Sequence, residues 1–464
     1  MLPVIAIFDI GKTNKKLFLF NRQYEIVWEQ TESFAEIVDD DGDACEDLEH
    51  LTRWLHAALY TVLNLPDYRV DALNVSTYGA SLVYIDADGK AVGPLYNYLK
   101  PFPDALLRRF YAAYGPDDRL SVATASPALK SLNAGLMLYR IKHDKPALFA
   151  RMRYALHLPQ YVSQLFTGQY YTDLTSLGCH TALWDFDRQD YHDWVRAEAL
   201  DQKLAPLFPG DAVVPATIAG RTLPVGAGLH DSSAALIPYL ASFQEPFVLI
   251  STGTWCISLN PFNHHPLTAE ELQYDCLCYL HYRGRPVKAS RLFAGYEHEQ
   301  QVQRLAAHFD RPVDAYRYVV YDPSLIDHLP LRPVQPAPEP LTTSQPAVLI
   351  QSAFGRRDLN EFDTYEQAYH QLMHDIVAQQ LIATELVLHR SPVDRLFVDG
   401  GFGNNPIYMA LLASAFPTLR VSAASVAQAT ALGAALAIHD HWNPGPIPDH
   451  LVSLRDASAT SPAL

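Results

Sequence analysis

The sequence predicts an α/β protein of two similar domains, and repeated units of strand and turn support this prediction. A strand–turn–strand unit opens the chain, and a second unit of the same form begins at Phe247, about halfway along the chain. A further segment, Arg395 to Phe416, has the pattern of a strand, a glycine-rich turn and a helix. Such alternation is typical of α/β proteins. We expect the first domain to span residues 1–242 and the second to span residues 243–464.

The composition is that of an ordinary globular protein. Of 464 residues, 49% are hydrophobic and 19% are charged, so each of two domains can bury a full core. The net charge of −16 argues against nucleic acid or an anionic membrane as the main partner. The N-terminus lacks the features of a signal peptide, and no apolar run approaches the ~18 residues of a membrane span. We therefore expect a cytoplasmic protein.

The two strand–turn–strand units carry turns suited to an anion. In the first unit, strands predicted at Val4–Asp9 and Leu17–Phe20 flank the turn Ile10–Lys16. The second unit runs from Phe247 to Leu259 around the turn Ser251–Thr254. The backbone N–H groups and hydroxyls of such turns can surround a phosphate. An ordinary hairpin turn has the same pattern, so the repetition of the unit carries the argument.

Acidic residues distinguish the two halves of the chain. Asp9 ends the first predicted strand, whereas Ser251 stands at the matching position of the second unit. One carboxylate is sufficient to hold the magnesium ion of a nucleotide. A second acid of the first half, Asp231, follows a small-residue turn and precedes a helix predicted at Ala234–Leu240.

Other segments of the chain carry weaker patterns. The turn Ser76–Ser81 follows a predicted strand, where an α/β domain usually places its ligand, although plain turn residues would give the same pattern. The segment Asp173–His180 is predicted to be a polar loop, and the proline-rich segment 323–346 an irregular surface connection. Helices are predicted at 46–64, 132–143, 158–166, from a capping box at Asp363–Glu366 onward, and at Ser425–His439, packed behind the glycine turn near residue 400.

Five motifs together resemble the FGGY family of carbohydrate kinases. They are Asp9–Lys16, Gly228–Ser233, Ser251–Trp255, Asp399–Asn404 and Ala429–Ala434. Within the family, the chain is most similar to rhamnulokinase- and fuculokinase-like members. Ser76 and Tyr78 depart from the acid and the tryptophan expected in a rhamnulokinase, which leaves the sugar open. The segment 288–297, where such enzymes contact the nucleotide, is not aligned by these motifs.

The resemblance implies two ribonuclease H-like domains of the actin and hexokinase type, with ATP and Mg²⁺ in a catalytic cleft between them. It implies that Asp231 is the general base and that Asp9 holds the metal. It places the phosphates at Gly11, Thr13, Asn14, Lys16, Gly253 and Thr254, the adenosine at Gly400, Gly401 and Asn404, and the sugar at Thr77, Tyr78, Gly79, His230 and Asp231. Relatives often pair as dimers, so the resemblance allows a homodimer, although the sequence itself does not give the oligomeric state.

The resulting hypothesis is an ATP-dependent kinase of a ketose. L-rhamnulose, giving the 1-phosphate, is the first candidate, and L-fuculose or a ketopentose such as xylulose or ribulose are the alternatives. An alternative of another class is a non-catalytic sugar- or nucleotide-binding regulator on the same fold. A regulator has no need of Asp9 or Asp231, so the presence of both favours an enzyme. An actin-like structural ATPase is less well supported, because no self-complementary surface can be recognised in the sequence.

Overall fold

The computed structural model describes residues 1–115, 117–326 and 353–457, which form two compact units. Unit 1 contains Met1–Ser242 together with Cys278–Pro286 and Ala427–Leu451. Unit 2 contains the other described residues, which begin at Phe243. Segments from the second half of the chain therefore pack with unit 1, and the predicted domains 1–242 and 243–464 stay a prediction.

The strands and helices follow one another along both units. The strands are β1 (Leu2–Ile10), β2 (Lys15–Phe20), β3 (Ile26–Glu32), β4 (Ile37–Val38), β5 (Ala44–Cys45), β6 (Tyr68–Thr77), β7 (Leu82–Ile85), β8 (Tyr154–His157), β9 (Trp184–Asp185), β10 (Asp190–Tyr191), β11 (Val213–Ile218), β12 (Arg221–Gly226), β13 (Leu229–His230), β14 (Phe247–Thr252), β15 (Cys256–Asn260), β16 (Cys276–Leu280), β17 (Pro286–Leu292), β18 (Arg395–Gly400), β19 (Arg420–Ser425) and β20 (Ser453–Asp456). The helices are α1 (Leu48–Leu63), α2 (Asp104–Tyr114), α3 (Asp117–Ala123), α4 (Ala134–Asp144), α5 (Pro146–Arg151), α6 (Leu158–Thr167), α7 (Leu174–Leu177), α8 (Asp193–Ala197), α9 (Asp231–Ser242), α10 (Ala269–Gln273), α11 (Ala294–His308), α12 (Tyr365–Leu388), α13 (Pro406–Ala415) and α14 (Ala429–Ala437).

The main sheet of unit 1 has the strand order β11-β12-β6-β1-β2-β3, with β13 also paired to β6. Strands β1, β6 and β13 are parallel, and their register pairs Asp9 with Ser76 and Thr77 with His230. The carboxyl ends of these strands therefore meet at one edge of the sheet, where α/β domains place their ligands. The register brings Asp9, the turn after Thr77 and the start of α9 to that edge.

Helices cover the sheet of unit 1 with apolar side chains. Helix α1, within the segment 46–64 where a helix was predicted, buries a stripe of apolar side chains, with Leu51, Leu55 and Val62 at 2% exposure or less. On α14, a Cβ added at Gly433 would lie 1.8 Å from the carbonyl oxygen of Ala234 in α9, so only glycine permits this approach. The prediction that this small-residue helix packs behind the glycine turn near residue 400 was therefore wrong, because α14 packs against α9 of unit 1.

Within unit 2, the strands of the main sheet have the order β17-β15-β14-β18-β19-β20. Strands β14, β18 and β19 are parallel, and the register pairs Thr252 with Gly400. The turn of the second hairpin and the glycine turn after β18 therefore lie side by side. The long helix α12 packs against α11, α13 and β15.

The structure corrects several local predictions. Residues 173–180 are not a simple loop, because the Asp173 carboxylate accepts hydrogen bonds from the backbone of Thr175 and Ser176 and so caps the short helix α7. The cap of α12 is Thr364, whose hydroxyl accepts from the Gln367 N–H. The helix expected at Ser425–His439 begins only at Ala429, because strand β19 occupies 420–425.

Two further predictions concern the surface and the membrane. Most of the proline-rich segment 323–346 lies outside the described residues. Among the residues that are described, no helix combines the length and the apolar character that crossing a membrane requires.

Candidate active site

Asp9 lies one residue before the end of β1, at the edge of the unit 1 sheet. Its carboxylate accepts a hydrogen bond from the Thr430 hydroxyl, over 2.9 Å. The pKa of Asp9 is raised to about 6, mainly by burial and in part by the nearby Asp231 carboxylate, whereas Thr430 and Lys16 act in the opposite direction. The two acids thus lie close enough to interact. A deeply set carboxylate beside a second carboxylate is a donor set that suits a hard cation.

The first turn exposes polar groups beyond β1. The Gly11 N–H donates to the Asn14 carbonyl over 2.9 Å and closes the turn, while the side chains of Thr13 and Asn14 are exposed. Lys16 follows in β2, and its ammonium group donates to the Gln428 side chain over 3.3 Å. Thr430 and Gln428 had no role in the sequence analysis, although Thr430 belongs to one of the five motifs.

A network of buried side chains, which the sequence analysis did not identify, stabilises the first turn. The Lys15 ammonium pairs with the Glu46 carboxylate, and both side chains are at most 4% exposed. Lys15 also donates to the Lys12 carbonyl over 3.0 Å, and the Tyr78 hydroxyl donates to Glu46 over 2.5 Å. The network therefore joins the first turn to the residue before Gly79. The Thr77 hydroxyl is directed to the Tyr78 carbonyl, 2.9 Å away.

Asp231 begins α9 and stands next to the buried ring of His230. Its Oδ1 lies 3.3 Å from His230 Nε2 and accepts hydrogen bonds from the Ser232 N–H and hydroxyl. Its side chain is 33% exposed, so a substrate hydroxyl can reach it. A Cβ at Gly79 would lie 2.5 Å from the His230 ring, so glycine is required for the ring to pack there. The structure thus brings together Gly79, His230 and Asp231, three residues that the family resemblance assigns to the sugar.

An acidic loop elsewhere in unit 1 also has the spacing of a cation site. The carboxylates of Asp39, Asp40 and Asp41 lie close together. The Lys100 ammonium lies 2.6 Å from Asp39 and 3.2 Å from Asp41, and Lys145 lies 2.7 Å from Asp40. Lysine side chains therefore neutralise this loop, and hydrogen bonding to Lys145 holds the pKa of Asp41 below its usual range.

The second turn, in unit 2, is built by close backbone contacts. The Gly253 N–H donates to the Trp255 carbonyl over 2.8 Å, and the Tyr296 N–H donates to the Thr254 carbonyl over 3.1 Å. A Cβ at Gly295 would lie 1.8 Å from the Gly253 carbonyl oxygen, so the first turn of α11 rests directly on the hairpin turn.

The glycine turn after β18 contacts the same hairpin. Gly400 has a φ of +93°, and a Cβ there would lie 1.9 Å from the Thr252 carbonyl oxygen. The Thr252 hydroxyl donates to the Asp399 carbonyl over 2.6 Å and accepts from the Phe402 N–H over 3.1 Å. No atom lies within 4 Å of a Cβ built at Gly401, so this glycine faces open space.

These turns surround a cavity of about 570 Å³ within unit 2, a size suited to a small ligand. Predicted residues Gly253, Gly401 and Asn404 contribute to its lining. The other lining residues include aromatic and imidazole rings that the sequence analysis did not identify, namely His298, Tyr316 and Phe402. The cavity thus combines glycine turns, which let a ligand approach the backbone closely, with flat ring walls, an arrangement that suits a nucleotide.

Comparison with known proteins gives the family. A sequence profile of the FGGY family of carbohydrate kinases, N-terminal domain, matches residues 4–237. Profiles of the C-terminal domain match residues 244–322 and 366–438.

Individual relatives share only low sequence identity with this chain. An L-fuculokinase of Salmonella typhi is 24% identical over 265 residues, which cover 54% of this chain and 55% of the relative. A rhamnulokinase of Mannheimia succiniciproducens is 22% identical over 267 residues, which cover 54% of this chain and 52% of the relative. The chain therefore spans about half the length of the curated relatives it matches.

Solved structures resemble the whole chain. A carbohydrate kinase from Novosphingobium aromaticivorans has a TM-score of 0.79 and 25% identity, over 98% of this chain and 94% of the other. A xylulose kinase from Rhodospirillum rubrum has a TM-score of 0.77 and 16% identity, over 98% and 93%, and at that identity the likeness shows the fold alone. The predicted fold of two actin- and hexokinase-type domains is confirmed. With more than half of its residues matched by the family's profiles, the chain belongs to the FGGY family of carbohydrate kinases.

Proposed function

We propose that the protein is an ATP-dependent ketose kinase in which Asp231 is the general base. The observation that carries this proposal is the placement of Asp231. It lies at the edge of the unit 1 sheet where α/β domains place their ligands, its side chain is 33% exposed, and it contributes to raising the pKa of the nearby Asp9 carboxyl group. Membership of the family supports ATP as the phosphoryl donor.

The chemistry assigned to Asp231 is a proton transfer that accompanies phosphoryl transfer. The Asp231 carboxylate accepts the proton of a sugar hydroxyl as its oxygen forms a bond to the γ-phosphorus of ATP. The bond from that phosphorus to the bridging β–γ oxygen breaks, and ADP leaves with the bonding electron pair. Hydrogen bonds from Ser232 hold the carboxylate in place during this step.

The two turns supply positioning and charge for the phosphates. The backbone N–H groups of Thr13, Asn14 and Thr254, with the hydroxyls of the two threonines, stabilise the negative charge that is spread over the phosphate oxygens. These groups are already in position, so they need not move during the reaction. Lys16 adds a positive charge near Asp9, as its effect on the Asp9 pKa shows. Together these groups offset the repulsion between ATP and the two acids.

A magnesium ion, which the family implies, fits the surroundings of Asp9. The deeply set Asp9 carboxylate has Thr430 as its hydrogen-bond donor and a second acid nearby, so a cation would relieve its unfavourable burial. When bound, the ion would neutralise phosphate charge. Asp9 is the residue proposed to hold it.

For the sugar we propose a 6-deoxyketohexose, with L-rhamnulose as the first candidate and L-fuculose as the second. The relatives named rhamnulokinase and L-fuculokinase support this class. In unit 1, Gly79 and His230 form a wall beside Asp231. Tyr78 takes the position of an expected tryptophan and is anchored to Glu46, so the shape of the sugar site differs from the rhamnulokinase pattern.

A panel of sugars tests the proposal. Purified protein with Mg·ATP is incubated with L-rhamnulose, L-fuculose, D- and L-xylulose, D- and L-ribulose or glycerol, and ADP release is followed. The expected result is fast ADP release with a 6-deoxyketohexose, and phosphorus NMR of the product then gives the position of the phosphate.

Other outcomes of the panel are equally informative. Preference for a ketopentose would keep the kinase and overturn the proposed sugar class. ADP binding without turnover on any sugar of the panel would contradict the proposed function and favour a non-catalytic regulator.

A further inference from the structure

A hydrogen-bonded chain of side chains borders the unit 2 cavity and has no part in the function proposed above. It consists of Asn405 at the start of α13, Tyr369 in α12 and His298 in α11. Asn405 and His298 line the cavity. The Tyr369 side chain is fully buried and links them.

The orientation of the Asn405 amide is fixed by the helix that it caps. Its Oδ1 accepts hydrogen bonds from the N–H groups of Ile407 and Tyr408, each over 3.1 Å. The other amide atom, Nδ2, must therefore face Tyr369, whose hydroxyl oxygen is 2.7 Å away. An amide nitrogen only donates, so the Tyr369 oxygen accepts this hydrogen bond.

The direction of the hydrogen bond between Tyr369 and His298 follows from this arrangement. Burial raises the pKa of Tyr369 well above its usual range, so the hydroxyl keeps its proton. With its oxygen already accepting from Asn405, Tyr369 donates that proton to His298 Nε2, 3.0 Å away. No other acceptor for it occurs among the described residues.

The tautomer of His298 is thereby determined. Burial lowers the pKa of His298 to about 4, so the ring is neutral at neutral pH. Because Nε2 accepts from Tyr369, the single ring proton is on Nδ1. Within the described part of the chain no acceptor for Nδ1–H is found, and His298 lines the cavity. The cavity therefore has a neutral, oriented hydrogen-bond donor on its wall.

We infer that His298 is a specificity residue for the nucleotide, and that its Nδ1–H donates to an acceptor nitrogen of the purine base. This inference rests on the proposed function. A neutral donor suits a base rather than a phosphate, which the glycine turns and cationic groups serve better. Tyr316 and Phe402 surround the His298 ring, with centroid distances of 4.9 and 5.4 Å, and provide flat surfaces for a base.

The test compares two substitutions, each of which keeps a polar atom at the position of only one of the two imidazole nitrogens. In His298→Asn the side-chain amide reaches the position of Nδ1 and keeps a donor toward the cavity. In His298→Gln it reaches the position of Nε2 and keeps only the contact with Tyr369. Calorimetry measures the binding of ADP and of inorganic pyrophosphate, without sugar, to both variants and to the wild-type protein.

The expected results separate base recognition from a structural role. His298→Gln should weaken ADP binding about tenfold, and His298→Asn less than about threefold, as expected for loss or retention of one hydrogen bond to a buried acceptor. Pyrophosphate binding should be unchanged in both. Two results would overturn the inference. One is the opposite order, in which His298→Gln binds ADP about as tightly as the wild-type protein and His298→Asn binds it weakly. The other is an equal loss of affinity for ADP and for pyrophosphate.

A second pair of variants tests the chain that orients the ring. Tyr369→Phe should weaken ADP binding about fivefold. Tyr365→Phe, one turn earlier in α12, removes a buried hydroxyl that lies outside the chain of Asn405, Tyr369 and His298, and should leave binding unchanged. Equal effects of the two variants would contradict the assigned tautomer. If the wild-type protein binds pyrophosphate but no ADP, the nucleotide part of the proposed function fails, whatever the variants do.

Discussion

The candidate site of unit 1 and the cavity of unit 2 are each built around a hairpin of the same form, but different groups stabilise the two turns. In unit 1 the turn after Asp9 is supported by side chains, since the buried Lys15 donates to the Lys12 carbonyl and pairs with Glu46. In unit 2 the turn after Thr252 is supported by backbone, since Gly295 and Gly400 approach its carbonyl groups directly.

The two units also present different kinds of functional groups. Unit 1 collects acids, lysines and an accessible carboxylate, which are groups for proton transfer and for charge. Unit 2 has no acid at the matching position, Ser251, and uses glycine to make room for a cavity with aromatic walls. Substitutions in unit 1 should therefore act on chemistry and charge, and those in unit 2 on shape.

The largest expected effect is on turnover. Asp231→Asn removes the proton acceptor and should lower kcat about 10²- to 10⁴-fold, while ADP binding stays within about twofold of wild type. Steady-state kinetics and calorimetry measure the two quantities. Asp88→Asn, an exposed acid on a turn of unit 1, is the matched control and should have no effect. An Asp231→Asn variant with wild-type kcat would show that another group is the base.

The next effect is on the stability of unit 1. Glu46→Gln leaves the Lys15 ammonium buried without a negative partner, which should lower the free energy of unfolding by about 3–5 kcal/mol. Lys12→Met breaks a pair with Glu36 that is 28% and 45% exposed, and should cost no more than about 1 kcal/mol. Denaturant unfolding measures both. Similar small losses for the two variants would mean that the buried network does not stabilise the first turn.

In unit 2 the effect should depend on which of two neighbouring glycines is changed. Gly400→Ala places a methyl group 1.9 Å from the Thr252 carbonyl at a φ of +93°, and should cost about 2 kcal/mol or more and weaken ADP binding. Gly401→Ala has open space and should change stability by less than about 1 kcal/mol. Thermal unfolding and calorimetry measure the contrast. Equal tolerance of both changes would contradict the close backbone contact.

The smallest expected effect is a decrease in the free energy of unfolding at acidic pH. The pKa of His157 in unit 1 is lowered from 6.5 to about 3, mainly by burial and in part by the nearby His230. Because the unfolded chain takes up a proton below pH 6.5 and the folded ring does not, the stabilisation is complete above that pH. It declines as pH falls toward 3. At pH 5.5 the loss should be about 1 kcal/mol relative to pH 7.5.

Substitution of this histidine checks the assignment. His157→Gln does not titrate, so its unfolding free energy should decline less between pH 7.5 and 5.5 than that of the wild-type protein. An identical pH dependence in both proteins would show that folding does not lower the pKa of His157.

The sequence predicted the elements that depend on local patterns. Strands β1, β2, β14 and β18 and their turns follow from apolar runs that end at glycine and hydroxyl residues. Gly168 ends α6 in the left-handed conformation, with a φ of +66°, as its position predicted. Helix bounds differ by a few residues, because caps such as Thr364 depend on geometry that the pattern does not contain.

The parts that could not be predicted depend on contacts between distant residues. Thr430 reaches Asp9 across 421 positions of the chain, and no local pattern contains such a contact. The two lysines of the first turn cannot be told apart by residue type, yet Lys15 begins strand β2 and is buried beside Glu46, whereas Lys12 lies in the turn and is partly exposed. His298 lies in a helix for which the sequence analysis made no prediction.

The transfer of the γ-phosphoryl group tests the central claim most directly. ATP labelled with ³²P at the γ-position is incubated with the wild-type protein, Mg²⁺ and L-rhamnulose, and the labelled products are separated. The account predicts label in a sugar phosphate, formed in an amount equal to the ADP released. Label released only as inorganic phosphate, at a rate that does not depend on the sugar, would contradict it.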